Sequence, residues 1–290
     1  MGIYDEIKES FKEGSALTRL IYINLAVFLA VRIANVFYFF SGMPFPFLDW
    51  LALPADFATL GSRPWTLITY MFLHFDFLHI LFNLLWLFWM GQIFLSYFDQ
   101  NKLVSVYLLG GISGGLFYVA GYNLFPVFSQ IVSDSRLLGA SASVIAIVVA
   151  LAVYVPNHTI HLMFIGPVRL KYLALFSILL YIISISTSNA GGNLAHLGGA
   201  FWGMIYMLQY KRGMDMGKGI NKLLSAIGNL FKPKPKVKIS YRKPPVDDID
   251  YNRQKNRDQE KMNKILEKIS KSGYDSLTQE EKEILFRMGK

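Results

Sequence analysis

Three short strings hold the side chains best suited to proton transfer or nucleophilic attack. His74-Phe-Asp-Phe-Leu-His79-Ile-Leu-Phe-Asn83 opens one apolar stretch. His79 and Asn83 are four apart, so they share a helix face one turn from each other. Gly139-Ala140-Ser141-Ala142-Ser143 opens another stretch, and Ala195-His196-Leu197-Gly198-Gly199-Ala200-Phe201-Trp202-Gly203 falls in a third. A serine hydroxyl is a weak nucleophile until an imidazole accepts its proton, and a polar pair such as His–Asn can stabilise the oxyanion that follows. Each string also has a plain reading. An intramembrane His–Asn pair often only bonds a neighbouring helix, serines at a helix start can cap it, and Gly199 and Gly203 form a GxxxG face suited to close packing. If that face meets the small-residue helix at Ser141, Ser141 and His196 come within hydrogen-bond reach.

The elements that must position these groups are apolar helices. The chain has 290 residues, 53% hydrophobic, 15% aromatic and 17% charged, whereas soluble domains sit near about 25% charged. Residues 1–210 hold nine Lys/Arg and nine Asp/Glu, so the net charge of +9 lies wholly in residues 211–290. A neutral hydrophobic body with a basic tail is not the distribution of a nucleic-acid binder. The absence of Cys removes disulfides, thiolate nucleophiles and Cys-type zinc sites. No His is followed by Glu in an HExxH pattern, so neither a metal nor a cofactor is expected.

Six segments are long and apolar enough to read as spans: 20–41, 78–98, 102–124, 139–155, 171–187 and 193–210. The stretch from Gly42 to Phe77 is aromatic but broken by Pro44, Pro46, Pro54 and Pro64, which points to a re-entrant or interfacial loop. Lys8, Lys12, Arg19, Lys102, Arg169, Lys171, Lys211 and Arg212 fall on one side, against Arg63 and Arg136 on the other. Both termini are therefore expected in the cytoplasm of a multi-pass protein of the cell membrane. The N-terminus has neither a secretory signal's apolar core nor a transit peptide's Arg-rich, acid-poor character. In this orientation Ser141, His196, His79 and Asn83 share a shallow extracytoplasmic depth, where water can reach them.

Jointly, HxxxxHxxxN, GxSx and AHxxGxxxG over residues 60–210 resemble the rhomboid family of intramembrane serine proteases. The resemblance implies an all-α six-helix bundle around a water-filled cavity, with Ser141 as nucleophile and His196 as base. His79, Asn83 and the Ser141 N–H would receive the oxyanion, acting on transmembrane protein substrates in the lipid bilayer. His74 and Trp65 match structural positions of the first loop, and Gly139, Gly199 and Gly203 the close-packing ones. The Gly-rich stretch Asn189–Asn193 would be a flexible cap. Three positions depart from the family pattern: Ala142 follows the serine where Gly is common, Ile145 replaces an aromatic residue that stacks on the histidine, and Thr66 replaces Arg after the tryptophan. Ala142 is expected to crowd the oxyanion side, and Ile145 to leave the imidazole held by apolar packing alone.

Other readings compete. A catalytically silent relative would guide membrane clients on the same fold, and a transporter would move solute independently of Ser141. No span after the first contains Asp, which disfavours an aspartyl protease. His158 and His161 read as surface residues of a cytoplasmic loop.

Residues 1–19 form a cytoplasmic lead-in to the membrane domain at 20–210. Residues 211–249 are a basic juxtamembrane segment, including KPKPKVKISYRKPP, able to lie near anionic headgroups. Residues 250–290 read as a small helical hairpin, with Gly273 ending one helix and Thr278 to Glu281 capping the next. That hairpin either stays solvated near the membrane or recruits a partner.

Overall fold

The computed structural model describes residues 2–162, 165–230 and 248–288, in two compact units, Met1–Lys232 and Pro233–Lys290. The basic KPKPKVKISYRKPP stretch lies outside the described residues.

Where water is scarce the backbone must satisfy its own N–H and C=O groups, and helices do so within one segment. In the first unit α1 (Ile3–Glu13) is amphipathic, with Ile3, Ile7 and Phe11 exposed on one stripe. The Arg19 guanidinium donates to the Phe11 and Lys12 carbonyls at 3.1 and 2.8 Å, tying the end of α1 to α2 (Ala16–Phe40). The sequence marks this lead-in only as polar and mixed in charge, because a stripe of three apolar residues hides among six charged ones in α1. Arg32 of α2 lies 4.9 Å from the centre of the Phe75 ring, a cation–π contact.

The Pro-broken stretch folds into pieces too short to cross a bilayer: α3 (Phe47–Leu51), β1 (Leu53–Pro54), α4 (Phe57–Ser62) and α5 (Thr66–Thr69). Asp56 caps α4 by accepting from the Thr59 hydroxyl and N–H, both at 2.7 Å, and these bonds hold its carboxyl below the usual carboxylate range. Two long helices follow, α6 (Phe77–Leu95) and α7 (Gln100–Leu124). After β2 (Arg136–Leu137) comes α8 (Ser141–Tyr154), then the hairpin of β3 (Thr159–Leu162) and β4 (Gly166–Arg169). The unit ends with α9 (Leu170–Ser184), α10 (Ala190–Lys211) and α11 (Lys218–Leu230).

Helices thus occupy all six segments expected to span. By length and composition α2, α6 and α7 are each able to cross a membrane, while α8 and α9 are shorter apolar helices. At 14 residues α8 extends only about 21 Å. Its position explains this: every residue from Ala142 to Ala152 is buried, among α6, α7, α9 and α10. A helix that is apolar all round belongs in such an interior. The helix ends differ from those expected by up to four residues, and two of these shifts bear on the site. α8 starts at Ser141 rather than 139, because Gly139 adopts a φ of +117° outside the helix. α10 starts at Ala190 rather than 193, because Asn189, at a left-handed φ of 44°, caps it by accepting from the Gly192 N–H at 3.1 Å. Residues 190–193 are therefore the first turn of a helix, not a flexible cap.

α10 lies directly on α8. A Cβ on Gly199 would stand 2.1 Å from the Ala142 carbonyl oxygen, and one on Gly203 2.2 Å from that of Ala146. On the other side, Gly110 and Gly114 of α7 receive the methyls of Ala146 and Ala142. The GxxxG reading of α10 is matched by a second glycine face on α7 that sequence reasoning passed over.

In the second unit α12 (Asp248–Ser272) ends at Gly273, whose φ of +79° reverses the chain into α13 (Gln279–Met288). Thr278 and Glu281 exchange capping bonds, N–H to carboxylate at 2.7 Å and N–H to hydroxyl at 3.4 Å, and Lys268 reaches Glu281 at 2.8 Å.

Gly203→Val is expected to cost about 3 kcal/mol or more by overpacking against backbone that cannot yield. Gly61→Ala, which meets nothing within 4 Å, is expected to change little. Thermal unfolding of both in one detergent checks this; equal midpoints would contradict the contact described.

Candidate active site

Ser141 owes its position to the chain just before it. Gly139 donates its N–H to the Tyr70 carbonyl at 2.9 Å, and Ala140 donates to His74 Nε2 at 3.2 Å. Because Ala140 is the donor, Nε2 must accept, so the His74 proton sits on Nδ1, which lies 3.4 Å from the Phe72 carbonyl. His74 is fully buried and braces the turn that leads into Ser141. The His79 ring packs edge-on against it, with centroids 5.1 Å apart, and lies so close to Gly139 that a Cβ there would be 2.7 Å from His79 Cε1. Gly139 is thus required both for its φ and for the approach of His79. Asn83, nearly buried, donates its amide to the His79 carbonyl at 2.8 Å.

A second clasp ties the Pro-broken stretch to the same turn. β1 pairs antiparallel with β2, setting Leu53 opposite Leu137, and Arg136 reaches Asp49 at 3.2 Å. Trp65 donates from its indole to the Trp50 carbonyl at 2.9 Å and stacks on that ring, while Arg63 covers the Trp50 face at 4.7 Å. Thr66, in place of the expected Arg, is buried and donates to the Arg63 carbonyl at 2.7 Å.

His196 stands in the second turn of α10, and its Nε2 is 2.6 Å from Ser141 Oγ. Its Nδ1 has no hydrogen-bond partner among the described residues. The imidazole is not held by apolar packing alone, as Ile145 led one to expect. The Tyr181 ring of α9 lies against it, with centroids 4.4 Å apart and planes inclined at 52°. Ile145 instead fills the space beside Gly199. Ala142 does not turn its methyl toward His79; the methyl enters the notch at Gly114, where a Cβ would be 2.5 Å away. Tyr181 and Gly114 escaped sequence reasoning. A tyrosine in an apolar helix and a GGxxGG run carry no chemical label, although the four-residue spacing of Gly110 and Gly114 is a packing signal in itself.

Two cavities meet at Ser141. A groove of about 370 Å3 is walled by Phe82, Asn83, Trp86, Val148, Leu173 and Tyr181, from α6, α8 and α9. A hollow of about 410 Å3 opens beside Tyr70, His79, Arg136, Asn189, Ser141 and His196. Ser141 also begins a helix, so its N–H belongs to the first turn, which has no intrahelical acceptor. His158 and His161 play no part here: His158 Nδ1 lies 3.0 Å from the Tyr97 hydroxyl, and His161 sits in β3 opposite Pro167. No His/Asp/Glu cluster able to hold a metal ion occurs among the described residues.

The rhomboid domain model matches residues 61–212, more than half of the chain. The chain belongs to the rhomboid family. That stretch contains every side chain of the Ser141 site. A family of unknown function, DUF6576, matches residues 246–290. The rhomboid-family chain is 32% identical over 162 residues to RHOMBOID-like protein 12, mitochondrial, of Arabidopsis thaliana, covering 53% of this chain and 48% of that protein. It is 31% identical over 94 residues to Rhomboid protease GlpG of Klebsiella pneumoniae, covering 27% and 34%. The match to Rhomboid protease GlpG of Salmonella newport is 31% over 90 residues. The chain thus spans half or less of the curated relatives it matches. Family and apolar helices together make it a membrane protein of an intramembrane protease family.

Gly139→Ala is expected to destabilise the fold by about 2–3 kcal/mol, through strain at positive φ and contact with His79. Adding His79→Ala should recover part of the loss, since it removes the contact and leaves the strain. Unfolding midpoints of the single and double variants measure the difference; no recovery would contradict the contact.

Proposed function

We propose that this chain is an intramembrane serine endopeptidase whose nucleophile is Ser141 and whose general base is His196. The 2.6 Å contact of these two groups, where an apolar groove meets a hollow that Arg136 and Asn189 help to line, carries the reading. All six helices at the expected segments cross the membrane, with both termini cytoplasmic and the site toward the outer face of the plasma membrane. The basic segment after α10 contacts anionic lipid, and residues 250–290 act as a small cytoplasmic hairpin.

The chemistry follows from the geometry. A transmembrane segment that unwinds locally, helped by Gly, Ala, Ser or Pro, enters along the apolar groove and presents a peptide carbonyl at Ser141. The Ser141 hydroxyl proton passes to His196 Nε2 as Oγ bonds to the carbonyl carbon. The tetrahedral oxyanion takes hydrogen bonds from the Ser141 N–H, His79 and Asn83. Collapse breaks the C–N bond, and His196 returns the proton to the leaving amine. Water from the hollow then hydrolyses the acyl-enzyme by the reverse proton path.

Fluorophosphonate labelling of detergent-solubilised protein is expected for the wild type and lost in Ser141→Ala and His196→Ala. A folded wild type that does not label would move the chain to the silent, client-binding class. Labelling that survives Ser141→Ala would place the nucleophile elsewhere. Asn83→Ala is expected to lower kcat on a transmembrane substrate by about 10²- to 10³-fold, with a smaller effect on KM. Deleting residues 232–290 should leave the rate unchanged; a changed rate or substrate range would make that module regulatory.

A further inference from the structure

Burial, spacing and ring geometry make Tyr181 more than a wall of the groove. The His196 imidazole has two means of being held in register with Ser141: the bond from Nε2, which the reaction itself uses, and contacts to its ring. Its Nδ1 has no hydrogen-bond partner among the described residues, so no carboxylate or carbonyl fixes the ring's rotation. Ile145, one turn beyond Ser141 on α8, is occupied against Gly199. The remaining aromatic contact is Tyr181, at 4.4 Å and 52°. A tilted ring pair of this kind has a preferred geometry that an aliphatic neighbour lacks.

Tyr181 is delivered by a helix with few fully buried residues. Of the 15 residues of α9 only Leu170 and Ala174 are buried, both in its first five positions. Tyr181 lies near the other end, shared between the groove and His196.

We propose that Tyr181 is the positioning residue for His196, supplying from α9 the ring contact that keeps the base aligned with Ser141. This deepens and rests on the protease reading.

The test uses full-length protein in detergent and the saturable inactivation of Ser141 by a fluorophosphonate, read as kinact and KI. Tyr181→Leu is expected to lower kinact by about 10- to 100-fold, the cost of a misplaced catalytic group, with KI near the wild-type value. Tyr181→Phe keeps the ring and should restore kinact, which a role for the hydroxyl would not allow. Thermal unfolding separates these effects from loss of fold. If the Leu variant does not fold, Tyr181→Met, of similar bulk without a ring, carries the same expectation. Wild-type labelling that depends on Ser141 but has the same kinact in Tyr181→Leu, or a change confined to KI, would overturn this inference alone. A wild type that does not label overturns the protease reading and the inference with it.

Discussion

The structure turns on how closely three helices approach. Two glycines of α10 rest on two carbonyls of α8, and two glycines of α7 take up the methyls that α8 presents on its other side. Lipid offers no hydrophobic drive for helices to associate, so contact of this kind, with weak Cα–H···O attraction added, must supply the cohesion. Ala142 is held on both sides at once: its carbonyl meets Gly199 and its methyl meets Gly114. The residue before it is Ser141. The helix separation that sets the Ser141–His196 distance is thus fixed one residue away from the Ser141 hydroxyl, by atoms that have no room to shift.

Around that rigid centre the groups are arranged by graded firmness. His74, Gly139 and Ala140 form a fully bonded turn, and the clasp of β1 on β2 reinforces it from outside. α9, by contrast, has its fully buried residues, Leu170 and Ala174, in its first five positions, and Ile178 and Tyr181 pack only partly buried against the core. The groove it borders is therefore walled on that side by a helix with little fully buried surface.

Much of the site was legible because polar groups in apolar helices are costly and stand out. His79, Asn83, Ser141 and His196 were found on that ground, and the glycine face of α10 by its spacing. What escaped was information of another kind. Tyr181 differs from its neighbours by one hydroxyl, and only its contact with His196 gives it meaning. Ile145 suggested a missing support because sequence shows which position lost a ring, not which other helix supplies one. The starts of α8 and α10 were misplaced because apolarity does not mark them: a positive φ at Gly139 and the Asn189 cap do. The shortness of the α8 segment allowed either an upright span or a place within the bundle, and hydropathy does not separate the two.

The pairing of Leu53 with Leu137 has a consequence for how the protein is made. Its two strands come from opposite ends of a region that includes α6 and α7. During synthesis, the early strand waits without its partner until both helices have been laid down. His196 emerges later still. The site is therefore a product of late closure, formed only after long-range contacts whose chain-entropy cost is met by helices already in place. A chain interrupted before α10 carries Ser141 and the turn that presents it but lacks His196, so the 2.6 Å contact between them cannot exist until α10 has docked.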